Sequence, residues 1–227
     1  MTWQTAIGIL AGVGLVFLLV RQLLAASARR AAEPDILFGQ VQNILENPRL
    51  ESTGTVGVLR LLGEWNGLPV QVQTVVDTLA VRKLPSLWLM VTIPEPLPLH
   101  STFDLMMRAA GPTSFSNFDL LPHAVQVPSG FPEHAAIRTD DPAHLLPAHV
   151  IAPHLGAFDN PRMKELLISP KGLRLVVQMA EADRARYGVF RQADFGAAVL
   201  EASTLQDMLV RLAAIRRAIL DWNARNA

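Results

Sequence analysis

The chain has 227 residues, with 20 basic and 20 acidic side chains, a formal net charge of zero and a mean hydropathy of +0.27. Because it has no basic excess, it lacks the charge pattern of a nucleic-acid-binding protein, and no nucleic-acid partner is predicted. The absence of cysteine excludes disulfides, thiolate catalysis and cysteine-ligated metal centres. Arg greatly outnumbers Lys, a bias typical of GC-rich bacterial genomes.

The N-terminal segment, residues 1–28, is predicted to be a transmembrane anchor in contact with the lipid bilayer. The run from Thr2 to Val20 carries no charged side chain. As a helix it would span roughly 28 Å, close to the hydrocarbon thickness of a bilayer. A cleaved signal peptide is the alternative, since Ala26-Ser27-Ala28 resembles a small-residue cleavage site. The positive charges follow the apolar run instead of preceding it, and this pattern favours a retained anchor.

Residues around this segment predict its topology and packing. Arg21, Arg29 and Arg30 follow the span, and positive residues tend to stay on the cytoplasmic side. We therefore predict a single-pass protein of the bacterial inner membrane with its large domain in the cytoplasm; a periplasmic domain is the alternative if the orientation is reversed. Gly8 and Gly12 form a small-xxx-small pair that lets two helices approach closely, so they are candidate helix-packing residues.

Two segments follow the anchor in the predicted domain organisation. Residues 29–54 are predicted to be a juxtamembrane linker, and residues 55–227 a soluble α+β domain. The domain begins with two runs rich in β-branched and apolar residues, Thr55–Trp65 and Leu68–Val76. Asn66-Gly67 separates them, and this dipeptide favours a type I′ hairpin turn because both central residues need positive φ.

Further strands are predicted along the chain. Ser86–Ile93 is predicted to be a third strand and Thr102–Met107 a fourth, which together with the first hairpin would form an antiparallel meander. Leu166–Ile168 and Leu173–Gln178 flank a Ser-Pro-Lys-Gly turn sequence and predict a second hairpin.

Helices are predicted in the second half of the domain. Asp140-Asp141-Pro142 is typical of a helix start and would begin a helix bent near Pro147 or Pro153. Ser203–Asn223 predicts a long amphipathic C-terminal helix. Its apolar face consists of Leu205, Met208, Leu209, Leu212, Ile215, Ile219 and Trp222. The fold class that results is an α+β domain, an antiparallel sheet covered by helices on one face.

The histidines do not predict a metal site. His144, His149 and His154 are five residues apart, a spacing that turns successive side chains by about 140° on a helix. Histidine ligands on a helix need spacings that keep them on one face. We therefore predict no metal ligand in this segment.

No motif in the chain predicts catalysis or a cofactor. The sequence contains no nucleophile elbow, no Walker A sequence and no glycine-rich dinucleotide fingerprint, so no catalytic or cofactor-binding residue is predicted. An enzyme built from residues distant in sequence is the alternative. It would require several of His123, His134, His144 and Asp140 to meet in one cleft.

Several sequence features resemble those of other proteins. The run Leu62–Val70, followed by Phe118-Asp119, by Asp140-Asp141-Pro142 and by Leu145-Leu146-Pro147, is similar to a loose group of uncharacterised bacterial membrane proteins with a soluble domain after one or more spans. The resemblance covers roughly residues 55–180. It implies an anchored α+β domain and assigns no activity or functional residue.

These features lead to one functional hypothesis and one alternative. We predict a non-catalytic accessory or scaffold protein, a subunit of a larger inner-membrane complex, that contacts a protein partner through its span or its soluble domain. The alternative is a membrane-tethered enzyme or small-ligand sensor.

Overall fold

The computed structural model describes residues 37–53, 58–77, 79, 84–190, 193–196 and 198–226. Within these residues, nine strands form one antiparallel sheet. The strands are β1 (Glu46–Thr53), β2 (Val58–Trp65), β3 (Leu68–Asp77), β4 (Ser86–Ile93), β5 (Phe103–Met107), β6 (His123–Val125), β7 (Ala135–Thr139), β8 (Met163–Ser169) and β9 (Gly172–Glu181). The sheet is accompanied by helices α1 (Ala148–Ile151), α2 (Arg184–Phe190) and α3 (Ala202–Asn226), and by 3₁₀ segments at Gln42–Ile44, Phe118–Leu120, Pro142–His144 and Ala152–Asp159.

The described fold is α+β, as predicted, but its strand order departs from a simple meander. The order is β1-β2-β3-β4-β9-β8-β5-β7-β6. Strands β1 to β4 follow one another, whereas β5 lies between β8 and β7 instead of beside β4. Three prolines in the connection, Pro94, Pro96 and Pro98, disfavour a tight hairpin after β4. Strand β9 fills the place beside β4.

Both predicted hairpins are confirmed. Asn66 and Gly67 have φ values of 50° and 75°, as a type I′ turn requires, and Trp65 pairs with Leu68 across the turn. The second hairpin joins β8 to β9. The predicted third strand has the bounds of β4, and the predicted fourth strand corresponds to β5.

Gly172 allows β9 to pass close to the end of β4. Its φ is +139°, and a Cβ atom at this position would lie 2.2 Å from the carbonyl oxygen of Ile93. A side chain would therefore collide with backbone that cannot move aside easily. Glycine is thus required where the second hairpin enters the centre of the sheet.

The folded domain begins earlier than the boundary predicted at residue 54. β1 pairs with β2 along the outer edge of the sheet, with a bulge between Glu46 and Arg49. Leu37, Phe38 and Val41 are buried in the main core. The pairing satisfies backbone groups that β2 would otherwise expose at its edge. The described residues from 37 onward in the predicted linker therefore belong to the domain.

One face of the sheet, here called the first face, carries the main hydrophobic core. Leu89 and Val91 of β4, with Leu173 and Leu175 of β9, point to this face and are fully buried. Helix α3 packs on β4 and β9 and confirms the predicted C-terminal helix. Six of its seven predicted apolar residues are buried, and the seventh, Trp222, is partly buried against the core.

The predicted helix after Asp141 forms as a series of short pieces. The Asp141 carboxylate accepts a hydrogen bond from the Ala143 amide at 2.9 Å and caps a single 3₁₀ turn. The chain then extends to Pro147, forms α1 and continues as the 3₁₀ segment Ala152–Asp159. Pro147 and Pro153 lack amide donors, so a regular α-helix is interrupted near each of them.

Among the described helices, none is long and apolar enough to cross a membrane. The predicted anchor, residues 1–28, lies outside the described residues.

Candidate functional site

The opposite face of the sheet, here called the second face, carries a buried charged cluster. Asp104 of β5, Glu165 of β8 and Arg174 of β9 point to this face, because they alternate with the buried apolar residues of the first face. Asp104 is 1% exposed and Glu165 is 0% exposed. Carboxyl groups this well shielded from water are rarely found without partners. Their hydrogen bonds and ion pairs therefore determine the chemistry of the site.

Glu165 is the hub of the cluster. One of its oxygens, Oε2, accepts a hydrogen bond from Arg174 Nη2 at 3.0 Å. The other, Oε1, accepts a hydrogen bond from the Ser116 hydroxyl. Burial raises the pKa of Glu165, and the adjacent Arg174 guanidinium opposes this effect. Of the two carboxyls, Glu165 is the one that forms the ion pair with Arg174.

Asp104 is the neutral member of the pair. Burial, reinforced by the neighbouring Glu165 carboxyl, raises the pKa of Asp104 to about 9, although Arg174 acts in the opposite direction. One guanidinium cannot neutralise two buried carboxylates, so one carboxyl retains its proton at neutral pH. In the described structure, Oδ1 of Asp104 has no hydrogen-bond partner, and neither has Nε of Arg174.

A cleft of about 200 Å³ borders this cluster. Its lining mixes hydrogen-bonding and apolar groups, namely Thr102, Asp104, Asn117, Leu121, Leu167, Ser169 and Arg174. Pockets for drug-sized ligands are roughly 300–1,000 Å³, so this cleft fits at most a small molecule.

A second, more open cleft of about 360 Å³ lies near the β6 edge of the sheet. Small side chains of β6 and β7 line it, together with Phe118, Asp119 and Arg138. The Arg138 guanidinium carbon lies 5.7 Å from the centre of the Phe118 ring, within the range of a cation–π contact. The residues that line this cleft include no acid–base pair. The cleft is therefore better suited to binding a partner than to catalysis.

The titratable residues named from the sequence lie elsewhere. His144 Nδ1 is 2.7 Å from Asp141 Oδ2, and this hydrogen bond, with that of the Ala143 amide, lowers the pKa of Asp141. Asp140 accepts hydrogen bonds from the Thr102 amide and hydroxyl at 2.7 and 2.9 Å. Burial acts to raise the pKa of Asp140, but these two bonds outweigh it and lower the value.

The four residues required by the enzyme hypothesis do not meet in either cleft. His123 and His134 are exposed, and His144 and Asp140 act locally, in a turn and in a link to Thr102. None of the four lines the two clefts. Within the described residues, no group of three His, Asp or Glu side chains is placed to hold a metal ion.

The helix-packing residues Gly8 and Gly12 and the topology residues Arg21, Arg29 and Arg30 all lie outside the described residues.

The buried cluster was missed in the sequence analysis. Asp104 interrupts an apolar strand, Glu165 directly precedes the predicted second hairpin, and Arg174 lies within the second strand of that hairpin. A charge inside a strongly apolar strand is the available signal, because it must either face solvent or find a buried partner. Identifying that partner requires the pairing of β5 with β8, which joins residues about sixty positions apart.

The chain shows little similarity to known proteins. No protein-family model matches the chain, and no curated protein is similar enough in sequence to count as a relative. One solved structure, the crystal structure of the mycobacterial trehalose monomycolate transport factor A, TtfA, is similar to this chain with a TM-score of 0.36 and 8% identity. The match covers 73% of this chain and 80% of that chain. A likeness of this degree establishes neither a shared fold nor a shared function.

Proposed function

We propose that this protein is a non-catalytic, membrane-anchored accessory protein whose domain binds a protein partner at the bacterial inner membrane. The observation that carries the proposal is the uncharged run from Thr2 to Val20, which precedes a domain with its own core. Such a run is long enough to cross a bilayer as a helix. A retained anchor holds the attached domain at the lipid surface.

The chemistry of the described domain supports a binding role. Its two buried carboxyls, Asp104 and Glu165, are balanced by the half-buried Arg174 and by a proton retained on one of them. Its exposed histidines lie apart from both clefts. The smaller cleft does bring Asp104, Ser169 and Arg174 together, but Arg174 is already paired with Glu165 and none of the histidines lines this cleft.

The orientation and the packing of the span complete the proposal. Arg21, Arg29 and Arg30 follow the span and favour a cytoplasmic domain. In such a helix Gly8 and Gly12 would be one turn apart and would provide a surface for close approach of a neighbouring helix. We therefore propose that the anchor itself contacts a larger membrane complex.

Membrane retention is tested with the full chain carrying a C-terminal tag. We expect it in the membrane fraction after a high-salt wash and in the supernatant when residues 2–28 are deleted. N-terminal sequencing of the mature protein should begin at residue 1 or 2. Full-length protein in the supernatant, or a mature chain that begins near Arg29, would refute the anchor.

Partner binding is tested by co-purification after extraction in a mild detergent. The double variant Gly8→Ile and Gly12→Ile should lose its co-purifying membrane proteins, whereas Gly14→Ile, off the Gly8–Gly12 line, should keep them. Recovery of the unaltered chain as a lone monomer would contradict the accessory role. A reporter fused at the C-terminus, active on only one side of the membrane, decides the orientation.

A further inference from the structure

A segment of the chain covers the second face without joining the sheet. Residues 109–122, here called the strap, connect β5 to β6. In the described residues, the backbone hydrogen bonds of the strap join only its own residues, Leu120 to Asn117 and Leu121 to Phe118. Segments that lack ladder hydrogen bonds to the rest of a fold open at lower free energy than the core.

Side chains attach the strap to the sheet. Phe115 packs on Trp88 with ring centres 4.9 Å apart, and Phe118 belongs to the same small apolar cluster. Ser114 donates a hydrogen bond to the carbonyl of Val76 at 3.2 Å, and Arg138 donates one to the carbonyl of Leu121 at 2.6 Å.

The remaining attachment reaches the buried cluster. The Ser116 hydroxyl donates a hydrogen bond to Glu165, and it also accepts one from the Phe118 amide at 3.1 Å. Ser116 therefore ties the turn of the strap to the carboxyl that Arg174 neutralises. The closed strap also helps to keep water from Asp104 and Glu165, which are almost completely buried.

The charged groups around the pair come from every element packed there. Arg174 of β9 pairs with Glu165, and Lys164 of β8 also favours the ionised form of Glu165. Arg138 of β7 lies opposite Asp104 in the strand register, but its guanidinium is directed to Leu121 and Phe118 of the strap. On the strap itself, Asp119 is exposed.

We propose that the strap opens as a unit from the second face, and that opening is coupled to release of one proton from the Asp104–Glu165 pair beneath it. Opening admits water, and hydration removes the main cause that holds the proton on Asp104. The open state then binds fewer protons than the closed state near neutral pH. A higher pH therefore favours the open strap, and a lower pH favours the closed one.

Hydrogen–deuterium exchange of the full chain in detergent micelles tests this coupling. Exchange is followed at pH 6 and pH 8, corrected for the intrinsic pH dependence of amide exchange. One released proton shifts an equilibrium by up to tenfold per pH unit, so the opening constant of residues 109–122 should rise by about 10- to 100-fold. The amides of β4 and β9 should remain at least about tenfold better protected than the strap at both pH values.

Four variants separate the coupling from simple loss of structure. Asp104→Asn should abolish the rise between pH 6 and pH 8, and Glu165→Gln should also abolish it if Asp104→Asn folds poorly. Asp119→Asn, which removes an exposed carboxyl from the same strap, should leave the rise unchanged. Ser116→Ala should increase opening at both pH values and keep the dependence on pH.

Three results would overturn the proposal. The first is a strap whose corrected opening does not change with pH in the unaltered chain. The second is a dependence on pH that survives in both Asp104→Asn and Glu165→Gln. The third is equal protection of the strap and of β4, which would show that only global unfolding exposes the pair.

Discussion

The two faces of the sheet are stabilised in different ways. On the first face, aliphatic side chains of the central strands pack against α3, and burial of apolar area stabilises the fold without dependence on pH. On the second face, a five-residue apolar cluster lies under a strap, beside the buried carboxyls Asp104 and Glu165 and the half-buried Arg174. Buried charges stabilise little and sometimes cost free energy, so this face contributes less to stability than its burial indicates.

The two faces of the sheet therefore differ in their roles. The first face can be rigid because nothing in it needs to change its protonation. On the second face, Asp104 keeps a proton that it would lose in water. Burial of this carboxyl costs free energy. Groups of this kind are enriched at functional sites, although ion-pair networks with a purely structural role also contain them. The first face therefore provides most of the stability, and the second face is the one that we expect to respond to pH.

The largest expected effect lies on the first face. Leu209→Ala removes a fully buried side chain of α3 and leaves a cavity, so we expect a loss of about 2–5 kcal/mol in the free energy of unfolding. The neighbouring Val210 is 51% exposed, and Val210→Ala should change this free energy by no more than about 0.5 kcal/mol. Urea denaturation followed by circular dichroism measures both; similar losses would mean that α3 does not bury its predicted face.

The first face was also the one that could be predicted from sequence. The helical period of Leu205, Met208 and Leu209 and the alternation in β4 each reflect local geometry, which a single segment reveals. The Asn66-Gly67 turn is likewise encoded by two adjacent residues.

The strand order and the second face could not be predicted in this way. The place of β9 beside β4 depends on contacts between residues about ninety positions apart, as in the pairing of Met90 with Val176. Glu165 and Arg174 are brought together by the β8–β9 hairpin, but Asp104 becomes their neighbour only through that strand order. Considered singly, Glu165 and Arg174 resemble ordinary charged residues of half-exposed strands, and Asp104 is only an unexplained charge in an apolar strand.

The second prediction tests the ion pair of the second face. Arg174→Ala leaves Glu165 buried without its cation, which should cost about 3 kcal/mol at pH 7. The loss should shrink at pH 5, because Glu165 can then take up a proton. Arg217→Ala on the exposed side of α3 is the control, with an expected change within about 0.5 kcal/mol. Urea denaturation at the two pH values checks this; a loss independent of pH would indicate a packing role for Arg174.

The third prediction is a gain in stability with a defined dependence on pH. The pKa of Asp104 is raised from 3.8 to about 9 in the folded chain. Between these values the unfolded chain releases a proton that the folded chain keeps, so folding is penalised increasingly as the pH rises. Asp104→Asn cannot ionise in either state and escapes this penalty.

We therefore expect Asp104→Asn to match the unaltered chain near pH 4 and to be more stable than it at pH 8, by up to about 5 kcal/mol. Thermal or urea denaturation across this range measures the difference. A destabilised variant at pH 8 would show that Asp104 is ionised in the folded state and favourably paired there. The contrast between the two faces would then be lost.

The smallest expected effect concerns a link that belongs to neither buried cluster. Glu95, just after β4, accepts a hydrogen bond from Arg216 Nη2 of α3 at 2.7 Å, and Nε of the same guanidinium lies 2.6 Å from Glu95 Oε2. Both side chains are partly exposed, so Glu95→Ala should cost only about 0.5–1 kcal/mol, and Glu95→Gln less. Salt should weaken the effect, because it screens partly exposed charges more than buried ones. A loss as large as that of Arg174→Ala, unaffected by 1 M salt, would mean that α3 is held to the sheet by this pair as much as by the apolar core.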